Sequence, residues 1–339
     1  MPVPCPPDDP PAAGTPAGAG GSAAEARGRA YSLLADLLLD GVTDATRAAA
    51  MASPILAEAL SGATPTDTAV EHERAFGREV PPFESAFLEA DGTLGGATAA
   101  RVRASYAHFG FVPDPRGPEP DHLATELRAL AFLAGAEQDA LEDGRSDLVL
   151  RLRDLGRAFL DRHVLRWFFP FATAVRALEL PFPSAWVTQV EELLLLHRRE
   201  LAWPMAELAR RSADGLDLAA PETGLAEIAA HLSRPARAGA LLTRSDLAAT
   251  ARPHGIPRGF ASREQMLLNL LRSAAHFDAL EPVVADLGAT LRARRDALAG
   301  LARREPWALT LVVPWMERLR EAESLLEAIA EARPEVDAP

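Results

Sequence analysis

Glu119-Pro120-Asp121-His122-Leu123-Ala124-Thr125-Glu126-Leu127 is the stretch whose reading decides the fold. A Pro-rich run, Val112 to Pro120, ends there and a long amphipathic helix begins. Pro120 stops a helix from extending backwards, and Asp121 has the short acceptor side chain of an N-cap. Leu123, Leu127, Leu130, Ala134 and Leu141 then recur at helical spacing, which makes one buried stripe. His122 and Glu126 stand four apart, so their side chains are neighbours on one face.

The same periodicity extends outward in both directions. Helices are expected over 23–39, 43–61 with a break near Pro54, 64–76, 97–109 with Gly110 as C-cap, 121–142, 147–168 with a kink or break at Pro170, and 184–211 with a kink at Pro204. Residues 81–94 read as a loop that closes on the Asp91-Gly92 turn. After a polar stretch at 212–224, helices are expected at about 225–232, 244–252, 261–276, 278–300 and 306–332. No strand-like alternation of useful length and no fixed-period repeat interrupts them. The fold class is therefore all-α. Three parts are expected: a disordered Pro/Gly/Ala tail over 1–22, a helical bundle over 23–212, and an additional C-terminal helical region over 213–339.

Composition excludes several classes of function. The 35 basic residues are all arginine, so Walker A, Schiff-base and other catalytic-lysine chemistry is absent. A net charge of −13 opposes general nucleic-acid binding and suits a cationic partner. Much of that charge sits near the opening stretch: residues 71–91 hold six acids and two arginines. The lone cysteine, Cys5, permits no disulfide within the chain and fits a reducing, cytoplasmic setting. The N-terminus has no apolar signal segment, and no apolar run approaches the ~20 residues of a membrane span. The eight histidines are scattered, with no close pair and no cysteine pair, so neither a metal nor a cofactor is expected. Gly92-Thr93-Leu94-Gly95-Gly96 follows no strand and reads as a turn before a helix rather than a phosphate loop.

Three motif blocks then combine. Pro81-Pro82-Phe83-Glu84-Ser85-Ala86-Phe87-Leu88, Tyr106 with Gly110-Phe111, and Glu119 to Leu127 together resemble the motif series of the TorD/DmsD/NarJ family. Phe159-Leu160-x-x-His163-x-x-x-Trp167 continues the pattern, and the likeness covers roughly residues 25–212. The family comprises cytoplasmic chaperones for molybdenum-containing redox enzymes exported by the twin-arginine route. The resemblance implies a TorD-like helical bundle. It also implies a molecular chaperone that binds the signal peptide and the apo-form body of a molybdopterin-dependent oxidoreductase subunit, aids cofactor insertion and delays export.

On that likeness, Glu84, Ser85, Phe87, Tyr106, Phe111, Asp121, His122 and Glu126 are the expected peptide-binding residues. They would form an acid-lined apolar cleft where the 83–88 segment meets the helix starting at Asp121. The plainer reading of the same residues is a capped helix, a local His122–Glu126 surface pair, and aromatic rings in the core. In the peptide reading, Asp121→Ala with His122→Ala weakens peptide binding more than it lowers the melting temperature. The 112–120 loop would be a hinge for domain exchange in a homodimer. Two alternatives come from other classes: a helical enzyme using His122 with Glu126 or Glu84 as an acid–base pair, and a stable scaffold subunit of a redox complex.

Overall fold

The computed structural model describes residues 17–201 and 223–331, apart from residue 258, together with 216 and 220. Helices account for the regular structure throughout, and no strand occurs among the described residues. The first part of the chain runs α1 (Ala17–Asp40), α2 (Asp44–Met51), α3 (Pro54–Leu60) and α4 (Pro65–His72), which continues as a π turn to Glu79. Then follow α5 (Glu84–Leu88), α6 (Gly96–Phe109), α7 (Leu123–Glu142), α8 (Ser146–Phe159), a second π turn (Leu160–Val164), α9 (Leu165–Arg176) and α10 (Pro181–Glu200). The C-terminal part holds α11 (Leu225–Leu232), α12 (Pro235–Ala238), α13 (Arg244–Ala251), α14 (Arg263–His276), α15 (Leu280–Arg304) and α16 (Leu309–Glu331).

Local chemistry sets these ends. Thr43, Ser53, Thr64, Thr243 and Ser262 each accept an amide of the following first turn. Gly110 closes α6 in the left-handed region, as its sequence position predicts. The expected tail over 1–22 falls mostly on residues 1–16, outside the described residues, and α1 already begins at Ala17. The boundary at 212/213 and the Pro204 kink also fall outside the described residues.

The core is built on α7 and α9. α7 lies along α1, and its Leu123, Leu127 and Leu130 are fully buried. In α9, Trp167, Phe168, Phe169 and Phe171 fill the centre with Phe76, Phe87 and Trp186 around them. Arg27 of α1 pairs with Glu137 of α7 and Glu200 of α10, and Tyr31 OH meets His197 Nδ1 at 2.8 Å. Buried charges need such partners, because an unpaired one is costly in a medium of low dielectric.

Pro170 does not break its helix. Proline has no N–H to give the carbonyl four residues back, so the Arg166 carbonyl loses its helical donor. Trp315 of α16 supplies one instead: its indole Nε1 donates to Arg166 O at 2.9 Å. The C-terminal part therefore docks on the very defect that proline makes, with α15 and α16 both packed against α9.

A second line of contacts brackets residues 79–90. Ser245 donates through N and Oγ to the Glu79 carboxylate at 3.3 and 2.9 Å, and Arg263 donates to Glu79 O at 3.3 Å. Arg237 donates to Ala90 O at 3.0 Å, and α12 rests on α5.

Candidate functional site

Pro82 and Glu84 are tied to the start of α7 by backbone hydrogen bonds. Leu123 N donates to Pro82 O and Glu84 N to Asp121 O, both at 2.8 Å, and Phe83 and His122 form an antiparallel bridge. The Asp121 carboxylate reaches across and accepts Ser85 N at 3.1 Å. Tyr106 of α6 reaches the same place, its OH donating to Pro120 O at 2.7 Å. Ser85 Oγ in turn accepts Gly95 N at 2.8 Å, which fixes the start of α6.

The two segments do meet, as the sequence reading expects, but no cleft separates them. Glu84, Ser85, Phe87, Asp121 and Glu126 are fully buried, Tyr106 nearly so, and His122 is 8% exposed. Phe111 is the one expected site residue left half-buried, against Tyr106 at 5.0 Å. The expected open acidic wall is thus a closed seam, because cross-segment hydrogen bonds draw 82–85 against 121–123 and bury the acids that would have faced a peptide.

Two finer expectations change with it. His122, not Asp121, caps α7: its Nδ1 accepts Ala124 N at 3.1 Å, while the Asp121 carboxylate is turned to Ser85. His122 also makes no surface pair with Glu126. Its ring meets Phe83 edge-on at 4.8 Å, and Glu126 points into the core. The 81–94 loop contains a short helix, α5, too brief to show a periodic signal.

Beneath the seam lies a nest of carboxylates. Glu84 Oε2 meets His163 Nδ1 at 3.1 Å, and His163 Nε2 meets Ser105 Oγ at 2.8 Å. Glu84 Oε1, Asp121 Oδ1 and both oxygens of Glu126 are buried without a hydrogen-bond partner. Burial, and then the neighbouring Glu84 and Asp121 carboxylates, push the Glu126 carboxyl well above the ordinary carboxylate range, while the Trp167 indole acts in the opposite sense. The protonated form of Glu126 is favoured in this setting. His163 and Trp167 were not among the expected site residues. Their signal was present, since they stand four apart on one helical face, where both can reach the nest.

The nest does not assemble a hydrolase. Ser105, His163 and Glu84 stand in relay order, but Ser105 lies in the middle of α6, where backbone N–H groups are spent inside the helix. No amide there is free to hold an oxyanion. The His122 acid–base pair fails on geometry. Its Nδ1 is taken by the cap, and burial pushes its pKa down to about 4. Among the described residues no cluster of three or more His, Cys, Asp or Glu side chains could hold a metal ion, and no helix is long and apolar enough to cross a membrane.

The buried titrations give stability two limbs of opposite sign. Folded Glu126 keeps a proton that the unfolded chain releases above about pH 4.5, so its contribution falls as pH rises from there. Folded His122 stays neutral down to about pH 4 against 6.5 unfolded, so its contribution is lost as pH falls through that window. Glu126→Gln, which has no proton to lose, is expected to match the wild type near pH 4.5 and to exceed it near pH 8. Urea unfolding at both pH values checks this, and a variant that is less stable near pH 8 contradicts it.

Taken together, the described residues form an all-α bundle with a buried polar seam. Residues 43–173 match the family model described as nitrate reductase delta subunit, a family of NarJ/TorD-type chaperones. Over that segment the chain is similar to this family, in line with the resemblance carried by the three motif blocks. The matched segment includes both sides of the seam and ends within α9, leaving α1 and the C-terminal part outside it. The chain is 37% identical over 82 residues to the selenate reductase assembly chaperone protein of Thauera selenatis, covering 24% of this chain and 41% of that protein. It is 38% identical, with the same coverage, to the chlorate reductase assembly chaperone protein of Ideonella dechloratans. The matched part thus spans about two-fifths of these relatives' length.

Proposed function

We propose that the chain is a cytoplasmic assembly chaperone. Its client would be the apo form of a molybdopterin-dependent oxidoreductase subunit, held until cofactor is inserted and, for a client with a twin-arginine leader, kept back from export. The observation that carries this reading is the family match across the seam, joined to likeness with two proteins named as reductase assembly chaperones. Physical features agree with it. A chain of net charge −13 steers arginine-bearing segments toward itself. Ordering a flexible client segment costs free energy, which keeps affinity modest and release feasible.

In this reading the eight motif residues act chiefly by building the seam. Direct contact between their side chains and a peptide would require 81–88 to part from 121–126. The enzyme alternative is not favoured, because its acid–base pair does not form.

Co-expression with a molybdenum reductase subunit from the same genome tests the proposal. The apo subunit is expected to co-purify and the cofactor-loaded subunit to be released, with weaker capture as salt rises. Retention of the mature, loaded enzyme in fixed stoichiometry would favour a scaffold subunit instead. Absence of any complex with the apo subunit contradicts the proposal.

A further inference from the structure

Beneath the seam, two carboxyl groups from its opposite sides come together. Glu84 belongs to the 81–88 segment and Glu126 to α7, and both are fully buried. The Glu84 carboxylate is a hydrogen-bonding neighbour of the Glu126 carboxyl, and the Trp167 indole is another. Glu84 Oε2 is held by His163, whose other ring nitrogen meets the half-buried Ser105. Glu84 Oε1 and both oxygens of Glu126 lack a hydrogen-bond partner, as does Asp121 Oδ1. An ionised carboxylate only accepts, so two of them set face to face cannot bond. In a buried site their charges also repel, which is why closely paired carboxyls share a proton.

We propose that Glu84 and Glu126 hold one proton between them, and that this proton latches the 81–88 segment to α7. A single proton turns one acceptor into a donor, removes one of two facing charges and forms a charge-assisted O–H···O bond across the seam. It gives Glu84 Oε1 and one oxygen of Glu126 the partner that each lacks. The other groups around the pair leave that task to the proton. Asp121 adds a further carboxylate from the α7 side, and Tyr106 of α6 spends its hydroxyl on Pro120 O. His163 is turned to the other oxygen of Glu84, and Trp167 of α9 brings a single N–H to Glu126. Through His163 and Ser105 the pair is linked to a half-buried hydroxyl, which gives the proton a route to water without unfolding. The latch holds while the folded pair keeps its proton. As pH rises and the proton passes to water, the cross-seam bond is lost and the carboxylates of Glu84, Asp121 and Glu126 are left together. The segment then parts from α7 and exposes the motif residues. This latch is a property of the chain alone and does not draw on the chaperone reading.

Infrared difference spectroscopy and amide exchange on the full chain test it together. At neutral pH the wild type is expected to show the carbonyl band of a protonated carboxyl, which Glu126→Gln removes and alkaline pH abolishes. Glu84→Gln is the second variant: its amide donates to Glu126 in place of the proton, so the band disappears while the seam stays closed. In the wild type at alkaline pH, the Glu84 and Ser85 amides should lose about tenfold or more of their protection relative to the Leu130 amide in the middle of α7. Glu126→Gln donates to Glu84 without titrating and should keep that protection. Three results overturn the latch: no such band in the wild type, a band that persists in both variants, or alkaline loss of seam protection in Glu126→Gln equal to that of the wild type. Should Glu126→Gln fail to fold, the wild-type band and its loss in Glu84→Gln still decide the matter.

Discussion

Gly239→Ala is expected to cost about 2–5 kcal/mol of stability and to loosen the C-terminal part from the bundle. Gly239 closes α12 with φ at 81°, a left-handed conformation that disfavours a side chain by about 1–2 kcal/mol. A Cβ there would stand 2.6 Å from Trp315 O and 2.7 Å from Leu319 N. Both are backbone atoms of α16 and cannot swing aside, so overpacking adds about 1–3 kcal/mol. The push falls on the turn of α16 that carries Trp315, which donates to the carbonyl orphaned by Pro170. Urea unfolding and limited proteolysis read the two effects together. A loss under about 1 kcal/mol with unchanged proteolysis would mean that α12 and α16 separate freely.

Asp121→Ala with His122→Ala is the second large effect, expected at about 2–5 kcal/mol. The first change strands the buried Ser85 N–H, at about 1–3 kcal/mol. The second removes the cap of α7, at about 1 kcal/mol, and the edge contact with Phe83. The sites are adjacent, so the sum need not be additive. The peptide reading of the sequence predicts the reverse balance, with binding lost more than melting temperature. The closed seam predicts melting temperature lost first. His122→Asn, which keeps a capping acceptor, should recover part of the loss. A double variant that melts like the wild type yet fails to bind client would restore the peptide reading.

The helices themselves were legible from periodicity. The α7 stripe, the Gly110 cap, the start of α8 and the boundaries of α11, α13 and α14 fall within a few residues of expectation. Pro170 misled because its remedy, Trp315, is 149 residues from the carbonyl it serves, and no local pattern encodes that. The meeting of 81–88 with 121–126 was legible only through the family motifs. Whether that meeting leaves an opening was not legible at all. Glu84, Asp121 and Glu126 look like rim acids because carboxylates are rarely buried. Here the Glu84–His163 contact and a Glu126 carboxyl pushed well above the ordinary range let them go inside.

Amide hydrogen exchange on the free chain and on its complex with the apo reductase subunit bears most directly on the account. Free or bound, the Glu84, Ser85 and Leu123 amides should exchange only through large-scale unfolding, while new protection on client binding falls outside 81–91 and 121–127. Fast exchange at the three seam amides in the free chain, or client protection confined to 81–91 and 121–127, would contradict it.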